Sequence, residues 1–115
     1  MSTLEVLKKL DIPSMTPVDG QEYEGEVSLP GAPGLRASVP GEQGFSEGDR
    51  LEVVWITKTS TEIVFTHTIT KIEEINPVHF YVKETFITPG LVTTFYEVFR
   101  DDRIWRSKPL IIMVK

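Results

Sequence analysis

Two histidines and an adjacent pair of glutamates are the residues whose types could bind a metal ion. His67 and His79 lie on segments that we expect to form neighbouring strands, and Glu73 and Glu74 lie between them. Imidazole and carboxylate groups are the usual protein ligands of zinc and related cations. The spacing lacks a compact ligand motif, so a surface pair of histidines beside a solvated turn is the favoured interpretation. We expect no metal and no other cofactor.

Adjacent carboxylates at Asp101 and Asp102 are the residues most suited to acid and base catalysis. They fall at the tip of an expected hairpin, where Asp is common because it tolerates turn dihedral angles and hydrogen-bonds to its own backbone. No Ser lies in a strand-to-helix turn of the nucleophile-elbow type. In residues 31–34, Pro33 removes a backbone donor that a phosphate-binding loop needs. The sequence therefore predicts a protein that is not an enzyme.

Residues that commonly contact partners cluster after this hairpin. Trp105 lies between Arg103 and Arg106, close to Asp101 and Asp102. Trp and Arg are enriched at the centres of protein interfaces. Coverage of a sheet edge explains the Trp equally well, so both interpretations stay open for Trp105.

Three further carboxylates alternate along the first half of the chain. Glu22, Glu24 and Glu26 would share one side of an extended segment, where they would either protect an edge strand or attract a basic partner. Residues 1–49 contain nine acidic and three basic side chains, whereas residues 50–115 contain eight and nine. The net charge of −5 disfavours binding to nucleic acid, which requires clustered Lys and Arg.

The elements that must position these residues are strands. Of the 115 residues, 34 are Val, Ile or Thr, and 8 Gly and 8 Pro interrupt the chain. This composition favours sheet over helix. Alternation of apolar and polar residues predicts strands at 26–29, 35–39, 50–57, 61–72, 78–82, 91–99, 104–107 and 110–114. The length of 61–72 indicates either one long strand or a strand with a bulge, because its apolar phase shifts between Ile69 and Ile72. Residues 84–87 are a candidate extension of the strand at 78–82.

This strand spacing predicts an all-β fold, an antiparallel immunoglobulin-like β-sandwich of seven or eight strands. Leu4, Leu7 and Leu10 give residues 3–10 the spacing of a short helical turn, and an extended or frayed tail is the alternative. Trp55 and Tyr96 are in phase with the core residues of their strands. The whole chain, 1–115, is expected to be one domain, with a lead-in at 1–20 and the sandwich at 21–115.

Four stretches together resemble the immunoglobulin-like modules of repetitive bacterial surface proteins of the adhesin type. They are residues 48–55 (GDRLEVVW), 80–82 (FYV), 90–98 (GLVTTFYEV) and 107–110 (SKPL), and the resemblance spans residues 10–115. It implies a stalk, tip or receptor-contacting domain that binds a protein and is not catalytic. The chain begins with Met1 and shows no secretion signal, which fits a phage-borne or effector-like protein in the cytoplasm or in an assembled particle or surface complex.

The expected function is thus a protein-binding module whose partner is a protein, a basic one if the acidic first half takes part. The alternative is a lectin-like sandwich that stacks a sugar on Trp105 or Tyr81 beside Asp101 and Asp102. The run 110–114 is apolar on both faces, so either the protein covers both faces or one face is an exposed stripe. The second interpretation predicts self-association through a C-terminal edge strand. Neither nucleic acid binding nor membrane insertion is expected.

Overall fold

The computed structural model describes Leu7, residues 25–27 and residues 34–114. Eight strands account for most of the described residues: β1 (Gly25–Val27), β2 (Gly34–Val39), β3 (Arg50–Ile56), β4 (Thr61–Thr68), β5 (Val78–Lys83), β6 (Gly90–Arg100), β7 (Arg103–Arg106) and β8 (Leu110–Val114). Two short 3-10 turns, Lys71–Glu74 and Glu84–Phe86, flank β5. The all-β prediction is confirmed. Within the described residues no helix has the length and apolar character needed to cross a lipid bilayer.

Six strands form one sheet in the order β1-β8-β6-β3-β4, with β7 also paired to β6. Neighbours pair antiparallel except β1 and β8, which run parallel. Because β3 occupies one side of β6, β7 and β8 follow one another along the other side. This order corrects one prediction: β8 has β1 on one side and β6 on the other, so it is not an edge strand.

β2 and β5 form a second, two-stranded antiparallel sheet that packs on the first as a sandwich. Leu35, Ala37 and Val39 of β2 and alternate residues of β5 belong to the same buried core as residues from β3, β6 and β8. In β3, Leu51, Val53 and Trp55 project into this core, as their alternation predicts. The Trp55 indole N–H donates a hydrogen bond of 3.0 Å to the Phe86 carbonyl oxygen.

β4 shows where alternation alone is insufficient. The predicted bulge exists, but it lies opposite Val53 and Val54 rather than between residues 69 and 72. Val64 is the extra residue, so Val64 and Phe65 both pack against the core and Ile63 is exposed. The strand ends at Thr68, and the expected extension of β5 through 84–87 is a 3-10 turn instead.

The predicted N-terminal helical turn falls mostly outside the described residues. Leu7 is described: it is buried, forms a parallel bridge with Ser107, and its carbonyl oxygen accepts a hydrogen bond of 3.4 Å from the Lys108 N–H. A residue bridged in this way is extended, so at Leu7 the extended alternative holds.

Candidate binding surfaces

A partly buried ion pair joins the beginning of β3 to the end of β6. Arg100 donates from Nε to Asp49 Oδ1 at 2.8 Å and from Nη2 to Asp49 Oδ2 at 2.7 Å. The Asp49 side chain is 3% exposed and also accepts the Ser46 N–H at 2.9 Å. Arg100 Nη2 donates to the Gly44 carbonyl oxygen at 3.0 Å. Hydrogen bonding to Asp49 raises the pKa of Arg100 above its usual value, so this cation keeps its charge.

Further contacts join the segment after β4 to the same loop. The Glu47 N–H donates to Glu74 Oε2 at 2.8 Å, and the Gly48 N–H donates to the Ile69 carbonyl oxygen at 2.9 Å. A Cβ on Gly41 would overlap the Ile75 carbonyl, so the two segments approach as closely as backbone allows. Residues 40–49, 69–77 and 101–103 therefore form one surface, which we call the loop end.

The loop end combines exposed apolar and acidic side chains. Ile72 and Ile75 are 67% and 66% exposed, and both belong to the segment between β4 and β5. The exposed charged residues are acidic at Glu42, Glu47, Asp101 and Asp102 and basic at Lys71 and Arg103. The predicted hairpin is confirmed, with Asp101 and Asp102 as its two-residue turn and a positive φ of 54° at Asp101. The loop end thus carries an excess of negative charge around two exposed isoleucines.

The histidines and glutamates considered as metal ligands come together only in part. His67 Nε2 lies 2.7 Å from Glu73 Oε1, which also accepts the N–H and the hydroxyl of Thr70 at 3.0 Å each. Burial acts to raise the pKa of Glu73, but these hydrogen bonds and His67 outweigh it and lower the pKa below its usual value. His79 is exposed on β5, and the described residues contain no group of three or more side chains arranged to hold a metal.

The outer face of the six-stranded sheet points away from the core and forms a second surface. Its members are the alternate residues that cross-strand pairing places together: Thr61, Ile63, Thr66, Thr68, Arg50, Glu52, Val54, Ile56, Leu91, Thr93, Phe95, Glu97, Phe99, Ile104, Arg106, Ile111 and Met113. One part of this face is apolar and the other holds ion pairs. A groove of about 640 Å³ borders the apolar part between residues 57–59 and 88–90, with Ile56, Leu91 and Thr93 in its lining.

The structure separates the predicted contact residues of the final hairpin. Asp101, Asp102 and Arg103 are exposed at the loop end. Trp105 pairs with Val98 on the core face, packs against the core, and has the Arg100 guanidinium 5.5 Å from its ring centre. Of the two interpretations of Trp105, coverage of the core at a sheet edge is the one that the contacts favour.

Arg106 lies on the outer face instead. Its Nε and Nη2 donate to Glu97 Oε2 at 3.1 and 2.9 Å, and its guanidinium lies 4.6 Å from the Phe95 ring centre. Tyr81, the other stacking candidate, is exposed on β5 in the opposite sheet. The residues expected to bind a sugar therefore lie on different surfaces.

The acidic trio lies mostly outside the described residues. Glu22 and Glu24 are not described, and Glu26 is described only through its backbone, which pairs with Met113 in β1. The trio thus stays a prediction.

Tyr96 is fully buried in β6, as its phase predicts, and its ring makes an edge contact with Phe45 at 6.1 Å. Its hydroxyl finds no hydrogen-bond partner among the described residues. Burial raises the pKa of Tyr96 far above its usual value. Within the part of the chain that the structure describes, the neutral phenol is therefore a core side chain whose oxygen has no hydrogen-bond partner.

Sequence reasoning missed the residues that organise the loop end. Neither Asp49 nor Arg100 is among the residues singled out by type and spacing. The one available signal is a lone Asp directly before an alternating strand, a position that becomes buried when that strand is central. Comparison of the chain with protein-family models, with curated proteins and with solved structures finds no match.

Proposed function

We propose that this protein is a non-enzymatic protein-binding module on an immunoglobulin-like sandwich, and that its loop end contacts a basic partner. The observation that carries the proposal is the Asp49–Arg100 ion pair, which joins residues 40–49 to the end of β6. Together with the backbone contacts from the same loop to Ile69 and Glu74, it holds one acidic surface around two exposed isoleucines. A surface that is ordered before binding loses less conformational entropy when a partner docks.

The strand order supports the immunoglobulin-like part of the proposal. In the variable type of that fold the larger sheet contains the central and final strands, and loops cluster at the two ends of the sandwich. Here the order β1-β8-β6-β3-β4 faces β2-β5, and the buried Trp55 lies on the central strand β3. Together with the resemblance carried by residues 48–55 and 90–98, this supports a module of the adhesin or effector class from a bacterium or phage.

Charge supports the choice of partner. Four acidic side chains, Glu42, Glu47, Asp101 and Asp102, are exposed at the loop end against two basic ones. Exposed charges of one sign raise the rate at which a partner of opposite sign associates, and salt screens this effect. The exposed Ile72 and Ile75 supply apolar area that charge alone would not provide.

The proposal is tested by affinity capture from host extract with matched baits. Asp102→Lys changes the charge of the loop end by two units, and Glu62→Lys makes the same change on β4, away from the loop end. We expect the wild type and Glu62→Lys to retain a common set of proteins that Asp102→Lys loses. For the purified partner, the affinity of Asp102→Lys should be lower by about tenfold at low salt, with a smaller difference at high salt.

Two results would contradict the proposal. One is a captured set that is the same for all three baits, since it would place binding outside the loop end. The other is loss of capture with Glu62→Lys and not with Asp102→Lys.

A further inference from the structure

Three successive cross-strand rows of mostly apolar side chains lie on the outer face: Ile63–Val54–Phe95, Ile56–Thr93–Ile111 and Leu91–Met113. Val54 and Phe95 are buried, at 7% and 9% exposed, whereas Ile63 and Leu91 are each 52% exposed and Ile111 is 42% exposed. Exposed aliphatic side chains grouped on one face in this way are a feature of contact surfaces.

The size of the face suits a weak interface. β6 has 11 residues. At about 3.3 Å per residue it is about 35 Å long, and four strands about 4.8 Å apart are about 15 Å wide. The flat area of the whole face is therefore roughly 500 Å², slightly below the roughly 600 Å² per partner of the smallest stable complexes, so the contact that it supports is a weak one.

The charges on the face favour a second copy of the chain over a strongly charged partner. Arg50 lies 3.2 Å from Glu52, and Arg106 lies 2.9 Å from Glu97, so two cations and two anions balance within the face. Copies of this chain, whose net charge is −5, would repel each other through most surfaces. Through this balanced face they meet without that repulsion, whereas a basic or an acidic partner gains little attraction here.

The shape of the face also fits contact with itself. In a two-fold dimer the same patch faces itself, so it must hold both projections and a recess. Ile63 and Ile111 project from the face, and the groove of about 640 Å³ beside Leu91 is the recess. Strand addition at β8 does not provide the contact, because β1 and β6 already pair with it.

We infer that the outer face is the contact surface of a homodimer in which two copies of this chain pack sheet against sheet. In such packing the two sheets lie about 10 Å apart with their strands roughly aligned, and the side chains of the two faces interdigitate. The loop end stays outside this contact, so each copy keeps its own partner surface.

Light scattering after size exclusion tests the inference on the full chain, over a hundredfold concentration range that reaches about 1 mM. The wild-type mass should rise from 13.0 kDa towards twice that value as concentration increases. Ile111→Lys and Ile63→Lys each place a lysine of both copies in the contact. Each should weaken the dimer by at least about tenfold, because like charges would then be buried together.

The matched control is Tyr81→Lys, which exchanges an exposed large side chain of the opposite sheet and should leave the dimer intact. Circular dichroism and thermal unfolding establish that each variant folds. A dilution series of the wild-type protein, followed by amide NMR, tests the same contact without a substitution. Amide shifts should change in β3, β6 and β8 and stay constant in β2 and β5.

The inference is overturned if only a 13.0 kDa species appears over the whole range. It is also overturned if a dimer forms equally with Ile111→Lys and Ile63→Lys, since the contact then lies elsewhere, for example along the free edge of β4. Dilution shifts confined to β2 and β5 would overturn it as well.

Discussion

At the scale of single residues, two ion pairs of the same kind have very different surroundings. The Asp49 side chain is 3% exposed and meets Arg100 through two hydrogen bonds. The second pair joins Arg106 to Glu97, and its Arg106 side chain is 64% exposed. Water screens the Arg106–Glu97 pair and can replace a lost partner there. Removal of Asp49 instead takes the acceptor from the Ser46 N–H and leaves the Gly44 carbonyl oxygen as the remaining described acceptor of Arg100.

Asp49→Ala is therefore expected to lower the free energy of unfolding by about 3 kcal/mol, since it leaves a partly buried cation unpaired. Glu97→Ala is the control and should cost less than about 1 kcal/mol. Urea denaturation of both variants measures the difference. Equal losses would show that Asp49 does not anchor the loop end.

Removal of the Tyr96 hydroxyl is expected to stabilise the protein, whereas removal of Asp49 destabilises it. Because this buried group has no hydrogen-bond partner among the described residues, Tyr96→Phe removes a desolvated polar atom and keeps the ring. We expect the free energy of unfolding to rise by about 1 kcal/mol. A loss of stability in the same urea experiment would mean that the hydroxyl is bonded in the folded protein.

At the scale of elements, the 3-10 turn Lys71–Glu74 connects the two sheets at the loop end. Glu73 holds its first residues through Thr70 and reaches back to His67 on β4. The pKa of Glu73 is lower in the folded chain than its ordinary value, so its ionised form stabilises the fold. That contribution is complete above the ordinary pKa of a Glu side chain and disappears as pH falls through the lowered one.

Glu73→Gln should therefore be less stable than the wild type at pH 7, and the difference should shrink as pH falls below about 4. Urea denaturation at several pH values gives the two curves. Glu62→Gln, on an exposed carboxylate of β4, is the control and should follow the wild type at each pH. The free energies of unfolding of Glu73→Gln and the wild type would contradict this role if their difference stayed constant down to about pH 3, which is below the ordinary pKa of a Glu side chain.

The elements differ in how far the sequence determines them. β3 was predictable because Leu51, Val53 and Trp55 alternate and all face the core. The bulge at Val64 was misplaced because it depends on pairing with β3, which local alternation does not encode. The parallel pairing of β1 with β8 joins residues from opposite ends of the sequence, so no local pattern could indicate it.

At the scale of the whole molecule, the candidate site was predictable only in part. Asp101, Asp102 and Arg103 were identified from their types, and they do lie at the loop end. The ion pair that organises this surface joins residues 51 positions apart, so neither partner could be recognised before the fold was known. Trp105 is a residue whose type alone is misleading. Tryptophan is common in partner contacts, but Trp105 lies on the core face of β7 and packs against the core.

The molecule as a whole separates two surfaces with different chemistry. The loop end has an excess of negative charge, whereas the outer face is balanced and apolar over three cross-strand rows. A partner attracted by charge should therefore meet the loop end first and leave the outer face free.

An amide NMR titration with the captured partner tests this account most directly. The account predicts that shift changes concentrate in residues 40–49, 69–77 and 101–103 and weaken as salt is added. Changes confined to residues 57–59 and 88–91, at the opposite end of the sandwich, would contradict it.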